Sequence, residues 1–274
     1  MTTSAPSLTL DNQDLARDYD RISAQWQLQS GKRLVGDLAI KPGERVIDIG
    51  CGTGLLAEHI AGLVGPTGRI LGVDPLPLRI EIAQTKARDC ANLAFEVGDA
   101  YALGHLPAAA FDVVVLNAVF HWLPEKAGPL RSFARLLRPG GRIGIGTGLR
   151  GHLARIHLAI AEALAEPPFD RYPRQWNRAN SRVDEAEMRS LLESTGFVPL
   201  LIEVRKTQQV HPTPEAALRF SEASSFGNVF GHLPDELKPA ARLAVHRRLA
   251  ALATPPGIVQ EGIRLIAIAE RKRD

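Results

Sequence analysis

Cysteine is almost missing from this chain: 274 residues carry two, Cys51 and Cys90. Such a pair offers no metal-ligand spacing and no disulfide framework, which excludes cysteine-stapled secreted scaffolds and thiolate metal modules. No metal is expected. Charge of one sign is also lacking, with 33 basic residues against 30 acidic ones and a net charge of +3. That is an ordinary solvated surface, too weakly basic to mark a nucleic-acid partner. Aromatics make up 5%, which gives no hint of a flat aromatic substrate. No run approaches the roughly 18 apolar residues of a membrane span, and the polar stretch Met1–Leu10 has no signal-peptide character. Internal repeats and low-complexity tracts are absent. With 45% hydrophobic residues there is ample material for a core. The expectation is a soluble cytoplasmic enzyme, and the length allows one large domain or two small ones.

What is present centres on Val46-Ile-Asp-Ile-Gly-Cys-Gly-Thr-Gly-Leu55. Val46, Ile47 and Ile49 predict a short buried strand. Three glycines follow, Gly50, Gly52 and Gly54, and then a run from Leu55 to Ile60 that predicts a helix. A strand, a glycine turn and a helix start let backbone N–H groups approach a ligand closely. Asp48 lies where a carboxylate can reach the same crevice. The dinucleotide fingerprint G-x-G-x-x-G needs a third glycine at position 55, where this chain has leucine. NADH binding is therefore not expected.

The pattern Asp48-x-Gly50-x-Gly52-x-Gly54 resembles the first motif of the class I S-adenosylmethionine-dependent methyltransferases. Further matches follow in chain order. Arg69–Val73 predicts a second strand ending in Asp74-Pro75, and in this family the acidic residue there binds the cofactor's ribose; a plain turn and helix start is the other reading of the same residues. Ala94–Val97 predicts a third strand followed by Gly98-Asp99-Ala100. The resemblance implies that Asp99 accepts from the adenine amino group and that Ala100 packs beside the ring. Phe111–Asn117 predicts a fully buried strand, and its end, Asn117 through His121-Trp122, faces the ligand crevice of such folds. His121 fits three roles: a general base, a cofactor contact or a structural histidine. Pro124–Leu137 predicts a helix stopped by Arg138-Pro-Gly-Gly141 ahead of a strand at Arg142–Gly146.

The flanks are less specific. Residues 12–39 predict a helical N-terminal cover, from which Tyr19 either lines the cofactor site or packs helices onto the sheet. Ser181-x-x-Asp184 predicts a capping box opening a helix through Ser194. Phe197–Lys206 and Gly262–Glu270 predict the last two strands. Residues 149–180 and 211–256 read as inserted lids on one methyltransferase domain spanning 1–274, with a cofactor-binding core at 41–148. The expected fold is α/β, a seven-stranded Rossmann-like sheet with helices on both faces.

The resemblance implies S-adenosyl-L-methionine as cofactor, cradled by Asp48, Gly50, Cys51, Gly52, Gly54, Asp74, Pro75, Asp99, Ala100, Asn117 and Tyr19. It also implies methyl transfer to a small-molecule acceptor. Positioning and exclusion of water do most of that work, and a base is needed only where the acceptor must lose a proton. Cationic residues can hold an anionic acceptor, and Arg150, Arg171, Arg174, Arg178 and Arg182 sit in or beside the first insertion with Tyr172 and Trp176 interleaved. The stretch Ser221–Phe230 is a candidate pocket wall. The core is similar to those of quinone C-methyltransferases, trans-aconitate methyltransferases and malonyl-carrier-protein methyltransferases. Arsenite methyltransferases share it too, but hold arsenic with more cysteines than occur here. Two alternatives stay open: a tRNA or other nucleic-acid methyltransferase, although Asn117-Ala-Val-Phe120 is not the N/D-P-P-Y/F of amino-directed base methylation, and a methyltransferase-fold binding protein without turnover. Oligomeric state is not legible.

Overall fold

The apolar runs of the N-terminal half become parallel strands: β1 (Arg45–Ile49), β2 (Arg69–Asp74), β3 (Leu93–Val97), β4 (Phe111–Asn117) and β5 (Leu137–Gly148). Two later strands, β6 (Phe197–His211) and β7 (Ile258–Arg271), complete a seven-stranded sheet of order β3-β2-β1-β4-β5-β7-β6. β7 runs antiparallel to both its neighbours. This is a computed structural model, and it describes residues 7–172 and 181–273. Chain order reverses between β1 and β4, so the crevice at their C-terminal ends is the natural ligand position of the sheet.

Alternation along the strands sends side chains to two cores. Ile47, Ile49, Val114, Leu116, Ile143 and Ile145 face one side, covered by α5 (Ala127–Leu136) and α7 (Glu185–Ser194) through Phe133, Leu136, Met188 and Leu192. Val46, Val113, Val115 and Ile268 face the other, under α2 (Ala24–Leu38), α3 (Leu55–Val64) and α4 (Pro77–Ala87). A third core lies among the helices of residues 149–172 and 211–256. There α6 (Arg155–Leu164) and α8 (Pro214–Ser224) pack on α9 (Lys238–Ala250) through Ile156, Ile160, Leu218, Val245 and Leu249. No helix among the described residues is long and apolar enough to cross a membrane.

Several boundaries depart from the sequence reading. The N-terminal cover is not one helix: α1 (Gln13–Asp18) passes through a single π-helical turn, Tyr19–Ser23, before α2. Such turns shift the side-chain register and occur often at functional sites. Helix α7 is capped by Asp184, whose carboxylate accepts from the Glu187 N–H at 2.9 Å; Ser181 lies three residues before that cap. Helix α5 starts at Ala127 rather than Pro124 because the Glu125 carboxylate accepts from the Ala127 and Gly128 N–H groups. Residues 137–141 run as strand, with an irregular register between Phe111 and Val113 on the partner. β6 and β7 extend beyond the predicted ends as a ribbon pairing Thr207 with Gly262 and His211 with Ile258. Its glutamine-rich composition breaks the apolar pattern that marks strands.

Candidate active site

The turn after β1 is a left-handed arch. Gly50 has φ +70, and a Cβ there would sit 2.3 Å from Val119 Cγ2. Gly52 has φ +56, and its Cβ would meet the Tyr19 hydroxyl at 2.8 Å. Side chains at either point would close the space between the turn and its cover. Asp74 braces the arch from β2. One carboxylate oxygen accepts from the Gly52 N–H at 2.9 Å, and the other from the Leu76 N–H at 3.0 Å. Burial raises the Asp74 carboxyl above the usual range, against the pull of Arg79 and both backbone bonds.

Arg79 was not singled out by the sequence, yet it organises the cover. Its side chain is 2% exposed and pairs with Asp11 at 3.3 Å. It also donates to the Ala223 carbonyl at 2.9 Å. The guanidinium carbon lies 3.9 Å from the Tyr19 ring centroid and 5.0 Å from that of Phe226. One cation thus ties the N-terminal segment and the 223–226 stretch to the mouth of the sheet.

Beneath this cover lies a cavity of about 150 Å³, lined by seven expected residues: Tyr19, Gly50, Asp74, Pro75, Asp99, Ala100 and Asn117. Gln27, Tyr101, Trp122, Ser224 and Phe226 also line it. Asp48 and Cys51 border a smaller pocket beside it, which shares Tyr19, Gln27, Gly50 and Asn117. One Asp48 oxygen is buried without a hydrogen-bond partner. Burial and the charge of Asp74 push the Asp48 carboxyl up to about 8. Burial and the same two carboxylates raise the Cys51 thiol well above its ordinary value. Gly52 and Gly54 line neither space. Gly52 lies under Tyr19, and Gly54 packs on Phe95.

His121 and Trp122 part company. Trp122 faces the first cavity, against Phe226 with ring centroids 4.5 Å apart. His121 is buried, with Nδ1 3.0 Å from the Thr147 hydroxyl, and lines a second cavity of about 470 Å³. The two cavities share Gln27, Ala118 and Ser224 as a wall. Ala118 is left-handed at φ +64 although it has a side chain, and its N–H donates to the Gly146 carbonyl at 2.8 Å. Strain of this kind concentrates at sites that need a fixed shape. Sequence alone gives no signal for it.

The stretch Ser221–Phe230 supplies Ser224 and Phe226, as the sequence suggested for a pocket wall, though Phe226 faces the first cavity. The described part of the basic stretch divides: Arg150 and Arg182 border a small pocket beside Lys126 and Glu187, and Arg171 and Tyr172 line none of the cavities described. Arg150 is paired with Asp184 and Glu187, and Arg171 and Tyr172 are exposed. Arg174, Trp176 and Arg178 fall outside the described residues. Arg182 is buried and lines the second cavity.

A family model described as a methyltransferase domain matches residues 40–194, more than half of the chain. Aklanonic acid methyltransferase DauC of Streptomyces sp. (strain C5) is 32% identical over 193 residues, which is 66% of this chain and 87% of that protein. Demethylmenaquinone methyltransferase of Lactococcus lactis subsp. lactis (strain IL1403) is 32% identical over 47% of this chain, which spans about half (53%) of that relative's length. Among solved structures, a SAM-dependent methyltransferase from Aquifex aeolicus shares the fold, with TM-score 0.53 at 18% identity over 70% of this chain and 91% of that one. The chain belongs to the class I S-adenosylmethionine-dependent methyltransferases.

Proposed function

We propose that the first cavity holds S-adenosylmethionine and the second a small-molecule acceptor, with methyl transfer in line across their shared wall. The observation that carries this reading is the pair of cavities meeting at Gln27, Ala118 and Ser224 where the sheet order reverses. The relatives named for aklanonic acid and demethylmenaquinone support an acceptor of small-molecule size.

The donor set fits a cationic nucleoside. Asp48 offers an orphaned buried oxygen, and Asp74 and Asp99 end adjacent strands along the cavity. Asp74 would take the ribose hydroxyls with lone pairs not used by Gly52 and Leu76. Asp99, anchored by the Tyr101 N–H at 2.9 Å, would take the adenine amino group beside Ala100. Bound S-adenosylmethionine supplies an activated methyl group on a positively charged sulfur. The chain's own residues then position and enclose. Tyr19, Trp122 and Phe226 exclude water from the first cavity, and the helices of the insertions act as a lid. His121, oriented by Thr147, stands in the second cavity where it can accept a proton from an acceptor that must lose one.

The test is transfer of a tritiated methyl group to a panel of quinols, phenols and small acids. Label in at least one organic product supports the reading. Bound cofactor with no labelled product across the panel favours a binding protein that has lost turnover.

A further inference from the structure

The second cavity contains two arginines whose charge nothing in the described chain offsets. Arg264, on β7, donates to the Ser30 hydroxyl at 3.0 Å, to Asn117 Oδ1 at 2.9 Å and to the Gly146 carbonyl at 2.8 Å. Arg182 donates to the carbonyls of Leu149 and His152. Every one of these acceptors is neutral. The Nε–H of each arginine is buried with no partner. Burial lowers both guanidinium groups, Arg264 to about 10 with help from the neighbouring Arg182 charge, and no carboxylate counters either.

The strand beside them is cut to fit. A Cβ at Gly148 would lie 2.8 Å from Arg182 Nε, and one at Gly146 would lie 3.1 Å from Arg264 Nη2. These two glycines stand two residues apart and so share one face of β5. Gly148 pairs directly with Arg264 across the β5–β7 ladder. Arg33 and Lys206 add further cationic side chains to the cavity, and no aspartate or glutamate is among its described lining residues. The Gln209 amide nitrogen, also on the lining, is buried without a partner. A buried charge is retained at a cost unless something pairs with it. Here the fold has made room for two.

We infer that the acceptor taken by the second cavity carries an oxyanion, a carboxylate or a phosphate ester, held by the guanidinium groups of Arg182 and Arg264. This rests on the second cavity being the acceptor site, and it narrows the acceptor class. Because Arg264 is hydrogen-bonded to Asn117, the anion lies near the wall shared with the first cavity.

The test uses the full chain and three probes of one shape: 1-naphthoate, 1-naphthyl phosphate and the neutral 1-naphthamide. Calorimetric titration is run with and without S-adenosylhomocysteine. We expect one or both anions to bind at least tenfold more tightly than the amide, and the stronger anion identifies the group. Arg264→Gln and Arg182→Gln should each reduce that preference to less than threefold, whereas Arg131→Gln, on the exposed face of α5, keeps it. Near-ultraviolet circular dichroism checks folding, and if one variant unfolds the other carries the comparison. Equal binding of anions and amide, no binding of any probe, or full preference in the folded variants would overturn the inference. Binding of S-adenosylhomocysteine is read separately, so a failed cofactor assignment with intact anion preference is distinguishable from the reverse.

Discussion

Arg264 Nη2 donates to Asn117 Oδ1 at 2.9 Å, so one hydrogen bond joins the wall of the first cavity to a buried charge in the second. Asn117 completes the link by donating to the Gln27 carbonyl at 2.9 Å, and Gln27 borders both spaces. Asn117→Ala removes these bonds and leaves Arg264 with fewer acceptors. We expect a stability loss of about 1–3 kcal/mol by urea unfolding, together with weaker binding in both cavities. Asn117→Asp should behave differently: a carboxylate at that position gives Arg264 an internal counter-ion. Anion preference should fall, and because a carboxylate cannot donate to the Gln27 carbonyl part of the stability loss should remain. An Asp variant with unchanged preference would mean Arg264 does not hold the anion.

Asp48 predicts a pH dependence. Its carboxyl is pushed up to about 8 in the folded chain, from an ordinary value of 3.8. Between those values the folded protein keeps a proton that the unfolded chain releases, so stability falls as pH rises from about 4 to about 8. A cation bound beside Asp48 favours its ionised form. Affinity for the cationic S-adenosylmethionine should therefore rise between pH 6 and 8, by up to about tenfold per unit. Asp48→Asn should flatten that slope and weaken binding, yet raise the melting temperature of the free protein at pH 8 by about 5 °C or more. A parallel pH slope in the variant would remove Asp48 from the site.

Gly148→Ala places a methyl group 2.8 Å from Arg182 Nε. The arginine must move, so anion binding should drop at least tenfold while cofactor affinity stays within twofold. Titration with 1-naphthoate and S-adenosylhomocysteine reads both. A drop in cofactor affinity alone would assign Gly148 to the wrong cavity.

His121→Ala should lower turnover at least a hundredfold if the histidine accepts a proton, with little change in cofactor affinity because His121 faces the second cavity. Comparison of kcat with calorimetric affinity separates the two. Unchanged turnover would return His121 to a structural role, packed beside Thr147.

The first half of the fold was legible because short-range chemistry writes it. Val46–Gly54 fixes strand, turn and helix within ten residues, and Asp74, Asp99 and Asn117 follow because parallel strands end on one edge. Six of the expected residues meet in the first cavity for that reason, and Tyr19 joins them from the N-terminal cover. The second cavity was not legible, because its walls come from α2, β6, β7 and both insertions, which only tertiary packing brings together. Arg264 reads as an ordinary charge in a strand until its partners Ser30 and Asn117 are known. Arg79 hides likewise in the first turn of a helix, and its partners lie 68 residues upstream at Asp11 and 144 downstream at Ala223. Ala118 is left-handed in a sequence that carries no glycine signal.

The central claim is that the first cavity is a cofactor site of the methyltransferase type. Calorimetric titration of the purified chain with S-adenosylhomocysteine, with NADH as control, tests it most directly. The account predicts one-to-one micromolar binding of S-adenosylhomocysteine, none of NADH, and a loss of about 1–3 kcal/mol in Asp74→Asn. Binding of neither, or affinity unchanged by Asp74→Asn, would contradict it.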